Sequence, residues 1–333
     1  MVDNIAEENS PLREDIVEYV RQCCKDEQIN PPVLLNYGDI PVSYESITKE
    51  WLVATLAPDS TGTTIKSFTL GPKDDGSANR RRIEIEWEGV ESHALPTSIF
   101  CKAAHSAENR IVLAAGGTYS EVCFYNHIRP QLNIEAPWAY FAGYNPKSWA
   151  AMVLLRDMGN VTTFCNYKTT LTKTQFAEQI QILAKLHGQF YQSQDPNFER
   201  LLIYKDRISN LIQVGIETMC NNGFEAAEGH WSRDLAYVLG TVMSSEKRRL
   251  WEHEMVELYL SELKKHGGPK VTADEAWLEL RRQSLGALAY WTLTLTPSEA
   301  LPDMQSKATS LCFIGRICTM INDHDVLDAF DYS

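Results

Sequence analysis

The sequence predicts an α+β protein, β-rich in its N-terminal part and helical in its C-terminal part. Two observations carry this. Between residues 63 and 158, short segments alternate polar and apolar residues or run apolar between turn clusters, as strands do. From residue 172 onward apolar residues recur every three or four positions, which places them on one face of a helix.

The elements follow in order. PLREDIVEYVRQCCKDE predicts a helix with Ile16, Tyr19, Val20 and Cys23 on one face. The NPP at 30–32 ends it, since proline lacks an N–H and restrains the residue before it. SYESITKEWLVATLAP predicts a second short helix with Ser46 as cap, Glu50 nearby, and Ile47, Trp51, Leu52 and Leu56 on its apolar face. TTIKSFTL and RRIEIEWEG read as strands joined by the turn cluster GPKDDGSAN. TSIFCKAA reads as a short, mostly buried strand and RIVLAAGG follows it; a helix is expected from about Thr118 or Ser120. APWAYFAGYN and AAMVLLRDM give two more strands, so the expectation is a small antiparallel sheet carrying one helix.

TKTQFAEQIQILAKLHGQFYQSQ is strongly amphipathic, with Phe176, Ile180, Leu183, Ala184 and His187 aligned. Ile208, Leu211, Ile212, Gly215 and Met219 keep a helical period, and helices are expected in DLAYVLGTVM, SEKRRLWEHEMVELYLSELKKHGG and ADEAWLELRRQSLGALAYW. The second of these three has Ser245 as its expected cap and Gly267–Gly268 as its stop. The predicted organisation is a helical extension over 1–45, a sheet-bearing lobe over 46–157 and a helical lobe over 158–333.

Composition narrows the function. With 44% hydrophobic and 23% charged residues the chain has the make-up of a globular protein. A net charge of -13 opposes general nucleic-acid binding, though it leaves room for a local basic pocket. No run approaches the roughly 20 apolar residues of a membrane span, and the N-terminus lacks the pattern of a leader peptide. The eight cysteines are scattered, without a CxxC pair, as expected of reduced thiols in a cytoplasmic protein.

Several stretches, taken together and in order, resemble the aminoglycoside-phosphotransferase and choline-kinase-like superfamily, in its ecdysteroid-kinase-like or fungal phosphotransferase branch. They are LPTSIFCKAA, TYSEVCFYNHIRPQL followed by APWAYFA, AMVLLRDM, ILAKLHGQFY, and GHWSRDLAYVLGT with EKRR and the Tyr259 helix behind it. The resemblance implies a protein-kinase-like two-lobed fold, with a small antiparallel N-lobe and a mostly helical C-lobe. It implies ATP between the lobes, Mg as metal, and a small hydroxylated substrate of unspecified identity. Catalysis in such a site is positioning and charge stabilisation.

On this resemblance, Lys102 reaches the inner phosphates and Glu121 is its helix partner; a lysine taken from water needs such a partner to keep its charge. By itself, Lys102 also reads as a solvated strand lysine and Glu121 as an exposed helix acid. Asp157 and Met158 occupy the lobe-connecting position, where backbone groups hold the adenine edge; Arg156 stands where the family has glutamate. Asp157 reads equally as a turn residue. His187 reads as a satisfied core histidine. Ser232 or Asp234 is expected to cap the helix that follows, with Asp234 a scaffold residue of the family.

Two motifs of the family are missing from the chain: H-G-D followed by Asn, which supplies the base and a metal ligand, and D-W-Q, whose Asp chelates magnesium. KDRISN, with Asp206 and Asn210, and the later Asn222 imitate parts of them without the histidine, glycine or spacing. The residues before Gly229 are CNNGFEAAE, so the reading is an internal deletion near 228/229. Three readings remain open on these residues: a small-molecule kinase whose full transcript carries the motifs, a pseudokinase that binds nucleotide or a partner without transfer, and a truncated product.

Overall fold

The computed structural model describes residues 13–89, 94–114, 117–197, 230–295 and 303–330. Its sheet is antiparallel throughout, formed by β1 (Thr64–Leu70), β2 (Asp74–Asp75), β3 (Asn79–Glu88), β4 (Ser98–Ala104), β5 (Ala139–Tyr144) and β6 (Ala151–Arg156). The spatial order is β1-β3-β4-β6-β5, with the two-residue β2 also on β3.

Period-two alternation decides which side chains meet the core. Ile83 and Ile85 of β3, with Ile99, Cys101 and Ala103 of β4, pack on the helix α2 (Lys49–Leu56), whose Trp51 and Leu52 are fully buried. Leu34 and Tyr44 enter the same core, so the segment before α2 is bound into the sheet's packing. The helix α1 (Arg13–Ile29) docks separately, Val20 against Ile111 and Glu27 against the buried Arg110 at 2.6 Å. Gly89 closes the far end of β3 at φ +128°, and a Cβ there would lie 2.4 Å from the Gly62 carbonyl oxygen.

Two local expectations in this part of the chain are corrected. Ser46 does not cap α2; Thr48, extended and adjacent to the first turn, accepts the Trp51 N–H at 3.1 Å, while Ser46 is held in a turn with Ser43. Two helices, not one, stand between β4 and β5: α3 (Ala107–Ala114) and α4 (Gly117–Cys123). The Ser106 hydroxyl accepts the Asn109 N–H at 3.1 Å and so starts α3 within a stretch whose apolar run hides its period. After α4 the chain continues through a π turn at Phe124–Ile128 and a 3-10 turn at Arg129–Gln131.

The helical part comprises α5 (Lys173–Phe190), α6 (Ser232–Thr241), α7 (Ser245–Lys265), α8 (Ala273–Leu295) and α9 (Lys307–Asp323), then a 3-10 turn at Val326–Ala329. Phe176 and Ile180 of α5, Leu235 and Leu239 of α6, and Met255, Tyr259 and Leu263 of α7 share one core. Thr172 and Gln175 form a reciprocal capping box at the start of α5. Ser244, rather than Ser245, caps α7 through the Lys247 N–H. Gly267, at φ +97°, ends α7 as its sequence predicts, with the Gly268 N–H on the Leu263 carbonyl at 2.9 Å. Neither Ser232 nor Asp234 caps α6: Trp231 holds the cap position without a side-chain bond, Ser232 pairs with the His230 ring, and Asp234 faces His187.

No described helix is long and apolar enough to cross a membrane. The expected helix over Ile208–Met219, the Asp206, Asn210 and Asn222 positions and the 228/229 junction lie outside the described residues.

Candidate functional site

Because Ile99, Cys101 and Ala103 are buried under α2, the intervening Ser98, Phe100 and Lys102 point from the other face of β4. Pairing fixes their neighbours. Arg80 stands opposite Lys102, and Lys102 opposite Val153; Arg82 stands opposite Phe100, and Phe100 opposite Leu155; Glu84 stands opposite Ser98. Directly paired side chains of antiparallel strands share a face, with Cβ atoms about 5 Å apart. One face of the sheet thus presents three cations, Arg80, Arg82 and Lys102, beside an apolar strip of Phe100, Val153 and Leu155. Val122 and Tyr125 pack on that strip from α4 and the π turn after it.

Each cation has a carboxylate. Lys102 Nζ donates to both Glu121 oxygens, at 2.9 and 2.8 Å, tying β4 to α4. Both side chains stay partly open to solvent, 33% and 23% exposed, so the ammonium keeps a side free for a further acceptor. Arg80 pairs with Asp74 on β2 at 3.2 Å. Arg82 donates to both oxygens of Asp157, which also accepts from the Ser98 hydroxyl at 2.6 Å and the Gly159 N–H at 2.8 Å. Burial alone would raise the Asp157 carboxyl; the bonds from Arg82, Ser98 and Gly159, with the Arg82 charge, outweigh it and hold the group at about 2.

The structure therefore brings Lys102 and Glu121 together and sets Asp157 apart. Asp157 joins β4 at Ser98, four residues along from Lys102, or roughly 13 Å at the usual strand rise. Its side chain is used to fasten the end of β6 to β3 and β4. Met158 sits in the turn that follows, its carbonyl accepting the Val161 N–H at 3.0 Å. Arg156 is exposed, its backbone N–H bonds the Trp138 carbonyl at 2.8 Å, and its pairing with Ile99 puts it on the opposite face of the sheet from Lys102.

His187 is partnered on both ring nitrogens. Nδ1 lies 2.6 Å from the Tyr259 hydroxyl, and Nε2 lies 3.4 Å from Asp234. The Tyr259 hydroxyl also reaches the Trp231 carbonyl at 3.4 Å, and the Trp231 and Tyr259 rings stack. This linkage braces α5, α6 and α7 against each other and leaves His187 no spare ring nitrogen.

Arg80 and Arg82 are the residues that the sequence reading missed. Their signal was present: in NRRRIEIEWE, Arg80 and Arg82 are in phase with Glu84 and Glu86 and out of phase with Ile83 and Ile85. What could not be read was that Lys102 pairs with Arg80, because register across a long connection is not a local property.

No three His, Cys, Asp or Glu side chains converge on a metal-sized site among the described residues. The donor set for magnesium that the family resemblance implies is thus not assembled among the described residues. A cavity of about 520 Å³ lies away from Lys102, between α1, residues 42–46 and the start of α3. Compared with protein-family models, curated proteins and solved structures, the chain matches none.

Proposed function

We propose that this chain is a kinase-like protein that holds a nucleoside triphosphate on the Lys102 face of its sheet and does not itself transfer the phosphoryl group. The observation that carries the reading is the Lys102–Glu121 pair, formed between a central strand and a helix inserted after it, as the family resemblance requires. The antiparallel order β1-β3-β4-β6-β5, with helices between β4 and β5 and a helical part after β6, supports the two-lobed kinase-like fold.

In this reading Glu121 holds the Lys102 ammonium in place for an inner phosphate, and the partly buried Phe100 offers an apolar edge to the base. The Arg82–Asp157–Ser98 clamp fixes the segment at Asp157 and Met158 whose backbone would meet the adenine edge. Transfer needs more: a base at the acceptor hydroxyl and a carboxylate on magnesium. The sequence contains neither H-G-D…N nor D-W-Q, so ATP should bind and persist. The experiment is a melting curve with ATP, AMP or neither, alongside an ATP turnover assay with magnesium. Stabilisation by ATP without turnover supports the reading; turnover at rates typical of kinases, or no effect of ATP at all, refutes it.

A second reading concerns the gene product as a whole. The abrupt junction before GHWSRDLAYVLGT favours an active kinase of a small hydroxylated molecule encoded by a longer transcript. Sequencing the native message across the codons for Glu228 and Gly229 decides it: an in-frame segment carrying H-G-D and D-W-Q supports the active enzyme, and a continuous junction excludes it.

A further inference from the structure

A second cavity, of about 350 Å³, lies far along the chain from the Lys102 pair, where α8 and α9 meet the end of α6 and residues 165–171. Its volume is within the range of small-molecule sites. Trp291, Phe313, Tyr167 and Leu171 contribute aromatic and aliphatic walls, and Arg316 brings a guanidinium to them. The Trp291 and Phe313 rings meet edge to face, with centroids 4.6 Å apart, and the Arg316 guanidinium lies 5.5 Å from the Phe313 centroid.

The charge pattern is what distinguishes this cavity. The chain carries -13 overall, and three other cavities among the described residues each present carboxylates: Glu27 and Asp75 in one, Asp74 and Asp303 in another, Glu252 in the third. The cavity at Arg316 has no carboxylate in its described lining. Arg316 is held by two backbone carbonyls, Thr241 at 2.5 Å and Tyr167 at 3.0 Å, and contacts no carboxylate among the described residues. Glu246 feels its charge from a fully exposed position. A guanidinium has five N–H donors, so two bonds to carbonyls leave donors in hand for a ligand. Close by, Lys247 Nζ donates to the Leu171 carbonyl at 2.7 Å and adds a second positive charge at the same wall.

We propose that this cavity binds a small organic anion with a flat apolar body, an aromatic carboxylate, whose acid group pairs with Arg316 and whose ring lies against Phe313 and Trp291. The backbone carbonyls fix the guanidinium beforehand, so little side-chain freedom is lost on binding. Charge-assisted pairing with arginine supplies the preference for an acid. The site is independent of the nucleotide reading and stands whether or not ATP binds.

The test uses two fluorinated probes of the same shape and opposite charge, 4-fluorophenylacetate and 4-fluorophenethylamine, titrated into the intact chain by fluorine NMR. The acid should bind at millimolar concentration or below, and the amine should not. Arg316→Gln should weaken the acid about tenfold or more. Because that variant also loses carbonyl contacts, Gln179→Trp serves as a second: Gln179 is exposed at the cavity, and an indole there should block it without touching the guanidinium. If neither probe binds, if both bind alike, or if the acid binds Gln179→Trp undiminished, the proposal is overturned.

Discussion

Asp157 offers a perturbation whose size can be worked from the structure. Its side chain is 8% exposed and accepts from Arg82, Ser98 and the Gly159 N–H, which hold its carboxyl at about 2 against an ordinary 3.8. At 1.36 kcal/mol for each tenfold change, that gap amounts to about 2.4 kcal/mol of folding stability near neutral pH. Arg82 is 43% exposed, so solvent screening brings the expected figure down to about 1–2 kcal/mol. Asp157→Asn keeps the shape and removes the charge. A group with a depressed folded-state pKa contributes fully above its unfolded value and loses that contribution as pH falls through the folded one. The gap between wild type and Asp157→Asn should therefore be constant from pH 8 to about 5 and shrink by roughly half at pH 3. Urea unfolding followed by circular dichroism at pH 7, 5 and 3 measures it. Equal stability of the two proteins at pH 7, or a gap that does not narrow on acidification, would show that the clamp is not electrostatic.

Other substitutions probe the rest of the framework. Arg248 is 1% exposed and bonded to Glu252, Asp323 and the His324 ring, so Arg248→Met takes the guanidinium from the buried Glu252 carboxylate and should cost about 3–5 kcal/mol in denaturant unfolding. Its neighbour Arg249 also pairs with Asp323 but is 49% exposed, and Arg249→Met should leave the unfolding midpoint close to that of the wild type in the same assay. Tyr259→Phe removes the hydroxyl that serves both His187 and the Trp231 carbonyl, and a loss of about 1–3 kcal/mol is expected from the melting curve. Gly89→Ala drives a methyl group against the Gly62 carbonyl at a positive φ and should lower stability by about 2–4 kcal/mol, whereas Gly286→Ala, with open space around it, should not.

The parts of the fold legible in the sequence were those set by local pattern. β1, β3, β4, β5 and β6 lie where alternation and turn residues put them, and α5 runs between its Thr172 capping box and its last apolar residues. Caps were displaced by one or two residues, from Ser46 to Thr48 and from Ser245 to Ser244, because neighbouring hydroxyls compete and backbone geometry alone selects between them. The helix α3 was hidden because RIVLAA is apolar without a clear period, and its start depends on the Ser106–Asn109 bond. In the candidate site, Lys102 and Glu121 were found through motif resemblance and proved to be paired. The basic face they share with Arg80 and Arg82 arises from strand register, which joins residues some twenty positions apart. The engagement of Asp157 by Arg82 is likewise a tertiary fact, spanning β3 and the end of β6.

The measurement that bears most directly on the account is isothermal titration of ATP into wild type and Lys102→Met. Lys102 is 33% exposed and Glu121 23%, so the substitution should leave the fold intact while removing the charge that meets the phosphates. Saturable ATP binding to the wild type and a loss of at least tenfold in affinity for Lys102→Met are expected, with AMP weak on both. Equal ATP affinity in the two proteins, or no binding to the wild type, would contradict this and leave the Lys102–Glu121 pair as a structural tie between β4 and α4.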